Sequence, residues 1–239
     1  DYVELDVQRT RDDAIVVIHD GDLMRMGSDP RKVRDLTLAE IGTIDIGSKR
    51  GPQYAGERVP TLAEVIDFAR GKFRINIELK YNVPDPQLAA AVVALLREKQ
   101  FLDQVVITSL DHASLQQVEQ LQPGLETGLI VTAAVGNVLK TDTDFVSLNS
   151  ARATASLVGK ARAAGKKVHV WTVNKPEVML RMIERNVDNV ITDDPATLVR
   201  EARQAIREID GVGDIKINVV DPAGAPQQTH QPPAGAPAP

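Results

Sequence analysis

The chain has 239 residues, 43% of them hydrophobic and 26% charged, with no cysteine and a net charge of −5. That length and apolar content suffice for one sizeable core. Acids and bases mixed along the chain exclude the clustered basic surface that nucleic-acid binding needs. The absence of cysteine excludes a disulfide framework, a thiolate nucleophile and a Zn–Cys site. No apolar stretch approaches the ~20 residues that span a bilayer.

The chain opens on an apolar run, "YVELDV" (2–7), joined by "QRTRDD" to a second, "AIVVIHD" (14–20). A connection that short predicts an antiparallel hairpin, with Asp12–Asp13 supplying the turn. Beyond residue 72 the pattern becomes regular. "RINIELK" (74–80), "QVVITSL" (104–110), "ETGLIV" (126–131), "DFVSLN" (144–149), "KVHVWTV" (167–173) and "DNVITD" (188–193) read as strands. Amphipathic stretches such as "PQLAAAVVALLREKQ", "HASLQQVEQLQP" and "KPEVMLRMIERN" lie between most of them. Strand–helix alternation predicts parallel strands under covering helices. From Gly211 the composition turns to "DPAGAPQQTHQPPAGAPAP", and residues 211–239 read as a disordered Pro/Ala-rich tail, with a stray strand at "DIKINVV".

Setting aside the hairpin partner leaves seven parallel candidates, whereas a closed (β/α)8 barrel needs eight strands and typically ~250 residues. The expectation for residues 1–210 is therefore an α/β fold, a (β/α)8 TIM barrel lacking its first strand in this chain. An open doubly wound sheet is the competitor, but no glycine-rich phosphate turn supports it.

Strand side chains alternate between faces. Val3, Leu5 and Val7 share one face of the first run, and Glu4 and Asp6 the other; Ile75, Ile77 and Leu79 oppose Asn76, Glu78 and Lys80 in the third. With the apolar faces under helices, the polar faces point into the barrel towards its C-terminal mouth. If the two strands are neighbours, Glu4, Asp6 and Glu78 converge. Converging carboxylates repel unless a cation lies between them or protons are taken up. An all-oxygen set suits Mg²⁺ or Ca²⁺. The plainer alternative pairs one acid with Lys80 and leaves the others in solvent. His19, ending the second run, has a side chain suited to proton transfer near neutral pH. Trp171 is expected near the mouth as filler or substrate platform, and His169 one layer deeper as a hydrogen-bonded interior residue. His112 is expected in the first turn of a helix capped by Ser109 or Asp111.

The runs "ELDVQRTRDDAIVVIHD", "VRDLTLAEIGTIDIGS", "ERVPTLAEVIDFA", "INIELK", "VHVWTVN" and "VITDDP" closely resemble, in that order, the glycerophosphodiester phosphodiesterases. The resemblance covers about residues 2–205 and implies a TIM barrel whose mouth is capped by an insertion, here residues 21–72. It implies that Glu4, Asp6 and Glu78 are ligands of a divalent metal ion, Mg²⁺ or Ca²⁺. It further implies that His19 is the second of two catalytic histidines, that Lys80 lies near the phosphate, and that Trp171 borders the glycerol moiety. The family's opening strand, ending in His-Arg-Gly, has no counterpart in this sequence. "LMRMGSD" stands where an Arg-Thr-Thr run is common, a variant similar to members with membrane helices upstream, so a membrane anchor before Asp1 is compatible with it.

The implied reaction is metal-dependent hydrolysis of a glycerophosphodiester, a small-molecule substrate, to glycerol 3-phosphate and an alcohol, with histidine general acid/base catalysis. One alternative is a lysophospholipase-D-like hydrolase acting on lysophospholipids. Another is a non-catalytic phosphodiester-binding module. This chain alone is expected to turn over weakly or not at all.

Overall fold

A computed structural model describes residues 2–132 and 138–210. The tail expected over 211–239, with its stray strand, lies outside the described residues. The strands are β1 (Tyr2–Arg9), β2 (Ile15–Val17), β3 (Asp22–Leu23), β4 (Asp29–Lys32), β5 (Arg74–Leu79), β6 (Val105–Ser109), β7 (Thr127–Val131), β8 (Phe145–Asn149), β9 (Lys167–Trp171) and β10 (Asn189–Val190). The helices are α1 (Met24–Gly27), α2 (Leu38–Ile41), α3 (Leu62–Ala69), α4 (Leu88–Glu98), α5 (His112–Leu121), α6 (Ala155–Ala163), α7 (Pro176–Glu184) and α8 (Pro195–Asp210).

All eight apolar runs form strands of one sheet, ordered β10-β9-β8-β7-β6-β5-β1-β2. Every neighbouring pair is parallel except β1 and β2, the antiparallel hairpin. At its turn Asp13 takes a positive φ of 66°, within the reach of a short polar residue. A doubly wound sheet reverses its strand order at a switch point. Here the order runs one way from β5 to β10, which is the winding of a barrel. The sheet is also curled. The field of Asp193, just beyond β10, reaches Glu4 in β1 at the far end of the strand order. Lys167 at the start of β9, governed chiefly by Glu126, likewise feels Tyr2.

The parity argument holds in the packing. Leu5, Val7, Ile75, Ile77, Leu79, Ile107, Val146, Leu148, Val168 and Val170 are buried in one cluster with Leu88, Val92 and Leu96 of α4, Leu115 and Val118 of α5, and Met179 and Met182 of α7. A second, smaller cluster gathers Leu23, Val33, Leu36, Ile41, Ile44 and Val59 around Val16 and Ile18 of β2. The sequence Thr-Leu-Ala-Glu occurs at 37–40 and 61–64 and starts a helix both times. In each, the threonine hydroxyl accepts the N3 amide while the glutamate carboxylate accepts the threonine amide, a reciprocal capping box. The first box starts a helix of the small cluster; the second starts α3, which buries Leu62, Ile66 and Ala69 in the large one.

Inside the curl, below the mouth, Gly128 of β7 pairs with Phe145 of β8, and His169 of β9 stacks on the Phe145 ring with centroids 3.9 Å apart. A Cβ at Gly128 would overlap that ring, so glycine is what admits phenylalanine as interior filler. Gly128→Ala should therefore act as overpacking, lowering stability by about 1–3 kcal/mol. Tm should fall by roughly 2–4 °C for each kcal/mol. Thermal unfolding followed by circular dichroism checks this; an unchanged Tm would show that the ring has room to move.

Candidate active site

β1 and β5 lie side by side with Glu4 opposite Asn76 and Asp6 opposite Glu78. That register brings the predicted acids together: oxygens of Glu4, Asp6 and Glu78 all lie within 4.8 Å of one another. Lys80 joins them, with Nζ 2.9 Å from Glu78 Oε1 and 3.2 Å from Asp6 Oδ1. Lys80 thus pairs with two of the acids, where the plainer expectation gave it one. One lysine serves three carboxylates, and the ionised group would carry two uncompensated negative charges.

The electrostatics follow from that imbalance. Glu4 is pushed up to about 8, first by burial and then by the fields of Asp6 and Glu78. Glu78 is raised by burial against the lowering effect of Lys80. Burial works against the Lys80 ammonium, but its contacts with Glu78 and Asp6 outweigh this and raise it. Asp6 Oδ1 is buried and receives no aligned hydrogen bond, meeting only the Lys80 charge among the described residues. A hard divalent cation fits this donor set: the ligands are all carboxylate oxygens, one of them is buried with no aligned hydrogen bond among the described residues, and two positive charges would balance the cluster.

His19 is placed by both of these strands. The Ile18 amide donates to the Asp6 carbonyl at 2.9 Å. The His19 carbonyl accepts the Asn82 side-chain amide at 2.8 Å, two residues beyond Lys80. Gln8, buried on β1, donates to the carbonyls of Ile18 and Asp20 at 2.8 Å and to that of His19 at 3.3 Å. The His19 ring itself is 58% exposed, so it is held by its backbone and open at its side chain. Gln8 and Asn82 are site residues that the sequence reading omits. The signal for Gln8 was present, since it continues the even parity of Glu4 and Asp6.

Trp171 ends β9 opposite Asn149, and its indole Nε1 is buried without a partner among the described residues. His169 departs from expectation. It is buried, but its Nδ1 has no hydrogen-bond partner among the described residues; burial pulls its pKa down to about 4, and stacking on Phe145 replaces the expected hydrogen bond. His112 opens α5 with Asp111 as its cap, away from the acids, and contacts Asp142 at 2.6 Å. Asn174 ties the ends of β9 and β10, donating to Asp193 Oδ2 at 2.6 Å and accepting the Asp193 amide at 2.9 Å. No described helix is long and apolar enough to cross a membrane.

The acids of β1 and β5, with His19 anchored beside them by its backbone, form the candidate site of this barrel-like fold. The family model for the glycerophosphoryl diester phosphodiesterase family matches residues 1–197. A glycerophosphodiester phosphodiesterase of Caldanaerobacter subterraneus subsp. tengcongensis is 36% identical over 210 residues, covering 85% of this chain and 86% of that protein. One of Bacillus subtilis is 33% identical over 222 residues, covering 82% of this chain and 74% of that protein. Among solved structures, an Oleispira antarctica phosphodiesterase in complex with the product sn-glycerol-3-phosphate matches with a TM-score of 0.75 and 26% identity, over 86% of this chain and 84% of that one. The chain belongs to the glycerophosphoryl diester phosphodiesterase family, and its class is that of the phosphoric diester hydrolases.

The raised Glu4 gives a pH signature. A carboxyl whose folded value is about 8 against an ordinary 4.5 binds more protons folded than unfolded between those values. Stability from this group is thus lost as pH rises through that window. In metal-free protein Tm should fall between about pH 5 and about pH 9, and by less in Glu4→Gln. Added Mg²⁺ or Ca²⁺ should suppress the loss in wild type only. Equal slopes in both proteins would remove Glu4 as the cause.

Proposed function

We propose that this chain carries out metal-dependent hydrolysis of glycerophosphodiesters to glycerol 3-phosphate and an alcohol. The observation that carries the reading is the cluster of Glu4, Asp6 and Glu78, within 4.8 Å and under-compensated by Lys80, beside a backbone-anchored His19. Family membership and the product bound by the Oleispira relative support the substrate class.

Glu4, Asp6 and Glu78 would hold the divalent cation, which when bound supplies charge stabilisation for the phosphoryl oxygens. Their carboxylates give Mg²⁺ or Ca²⁺ a negative, partly desolvated seat. Lys80 adds a fixed positive charge beside Asp6 and Glu78, where phosphate oxygens approach. His19 moves a proton at its ring nitrogen, as general base towards the attacking hydroxyl or as general acid towards the leaving alcohol. The Trp171 indole N–H, buried and without a partner among the described residues, is a donor available to a substrate hydroxyl. Residues 21–60, folded around the small cluster next to His19, cover the mouth on that side.

An eighth parallel strand between β10 and β1 would complete the (β/α)8 barrel. The support is that β1 pairs on one side only along residues 2–5, and that Val3, of core parity, is 43% exposed. The resemblance implies that such a strand carries the first catalytic histidine, so the chain by itself would turn over weakly. A second reading, hydrolysis of lysophospholipids, is favoured by exposed Met24, five residues past His19, and exposed Leu110 at the same strand ends as Glu78.

Glycerophosphocholine hydrolysis by residues 1–239 preceded by a grafted first strand of a family member should exceed that by residues 1–239 alone and should vanish with EDTA. Glu78→Gln should abolish it, and His19→Ala should lower kcat by roughly 10²- to 10⁴-fold. Full activity in EDTA would refute the metal-dependent mechanism. A faster rate on lysophosphatidylcholine would favour the second reading.

A further inference from the structure

The neutral imidazole of His19 carries one proton, on either Nδ1 or Nε2, and only the nitrogen without it can act as a base. The surroundings decide which. His19 Nδ1 lies 2.8 Å from Asp20 Oδ1. The other oxygen, Oδ2, accepts from Arg25 Nε at 2.6 Å. Asp20 is held well below the usual carboxylate range, first by Arg25 and then by His19. An ionised carboxylate only accepts hydrogen bonds, so a contact of this length to Nδ1 requires the proton on Nδ1. Nε2 is left with its lone pair.

Arg25 is itself fixed. It belongs to α1, the short turn of the small cluster's segment, and Lys49 Nζ donates to the carbonyls of Met24 at 2.6 Å and Arg25 at 3.1 Å. Gln8 and Asn82 hold the His19 backbone from the barrel side while the Asp20–Arg25 pair holds its ring from the cap side.

We propose that Asp20, buttressed by Arg25, is a positioning residue that fixes His19 in the Nδ1–H tautomer and so reserves Nε2 for proton transfer. This rests on the assignment of His19 as the acid/base group. The logic is that of a carboxylate behind a catalytic imidazole: the acid stays ionised, orients the ring and stabilises the imidazolium that forms.

The test reads the tautomer directly, without turnover. Long-range ¹H–¹⁵N correlation spectra of histidine-labelled protein distinguish Nδ1–H from Nε2–H rings, and His19→Gln identifies the His19 signals. Wild type should show His19 as Nδ1–H. Asp20→Ala should shift it towards Nε2–H, and Arg25→Gln should do so to a lesser extent, both with unchanged far-UV circular dichroism. With glycerophosphocholine as substrate, Asp20→Ala should lower kcat by roughly 10- to 100-fold with KM little changed, less than the loss from removing His19. An Nε2–H ring in wild type, or an unchanged tautomer in Asp20→Ala, overturns the proposal. So does an unchanged kcat in Asp20→Ala where His19→Gln is inactive. If wild type hydrolyses no phosphodiester, the tautomer spectra alone decide what Asp20 does, and the failure belongs to the assigned reaction.

Discussion

The crowding of three carboxylates at the ends of two adjacent parallel strands is the constraint on which this structure turns. Like charges so close raise one another's proton affinity and cost stability unless something positive is supplied. Lys80 supplies one charge from the same strand as Glu78, and Glu4 responds by keeping its proton to about pH 8. A fold under selection for stability alone would replace such a group with apolar residues. The register of β1 on β5 is what creates the cluster.

That much was legible because a strand's alternation is rigid. Once Val3, Leu5 and Val7 are assigned to the helix side, Glu4 and Asp6 have only one other face to occupy, and the same holds for Glu78 and Lys80 opposite Ile77 and Leu79. Each of the eight runs became a strand, since apolar runs of that length bounded by turns have few other uses. What alternation could not supply was the distance between strands. Convergence was conditional on β1 and β5 being neighbours, and that depends on how the segment between them folds.

The rest was hidden for physical reasons. Gln8 acts through carbonyls ten to twelve residues away, and Asn82 through one across the sheet, so neither contact leaves a mark in local sequence. His169 looked like a residue needing a hydrogen bond; its environment became apolar only because Gly128 lets the Phe145 ring into the interior beside it. The connection from β7 to β8 carries no α-helix among the described residues, a departure from the repeating unit that composition does not signal.

β2 explains why the histidine sits where it does. Its residues alternate between two cores: Ile15 and Val17 pack against the large cluster, Val16 and, just past the strand, Ile18 against the small one. The strand is thus the seam between barrel and insertion, and the chain leaves it at His19 and Asp20. Past the strand the alternation ends: the His19 ring turns to one oxygen of Asp20 at 2.8 Å, and Arg25 meets the other. The His19 ring is thus met by the Asp20–Arg25 pair, while the carboxylates are held by β1 and β5. A change in the small core, at Val33 or Ile41 for example, would be felt at β2, which borders both clusters. The small core thus supports the segment that leads to His19 and Asp20, so its packing and the placement of that pair are linked through one strand.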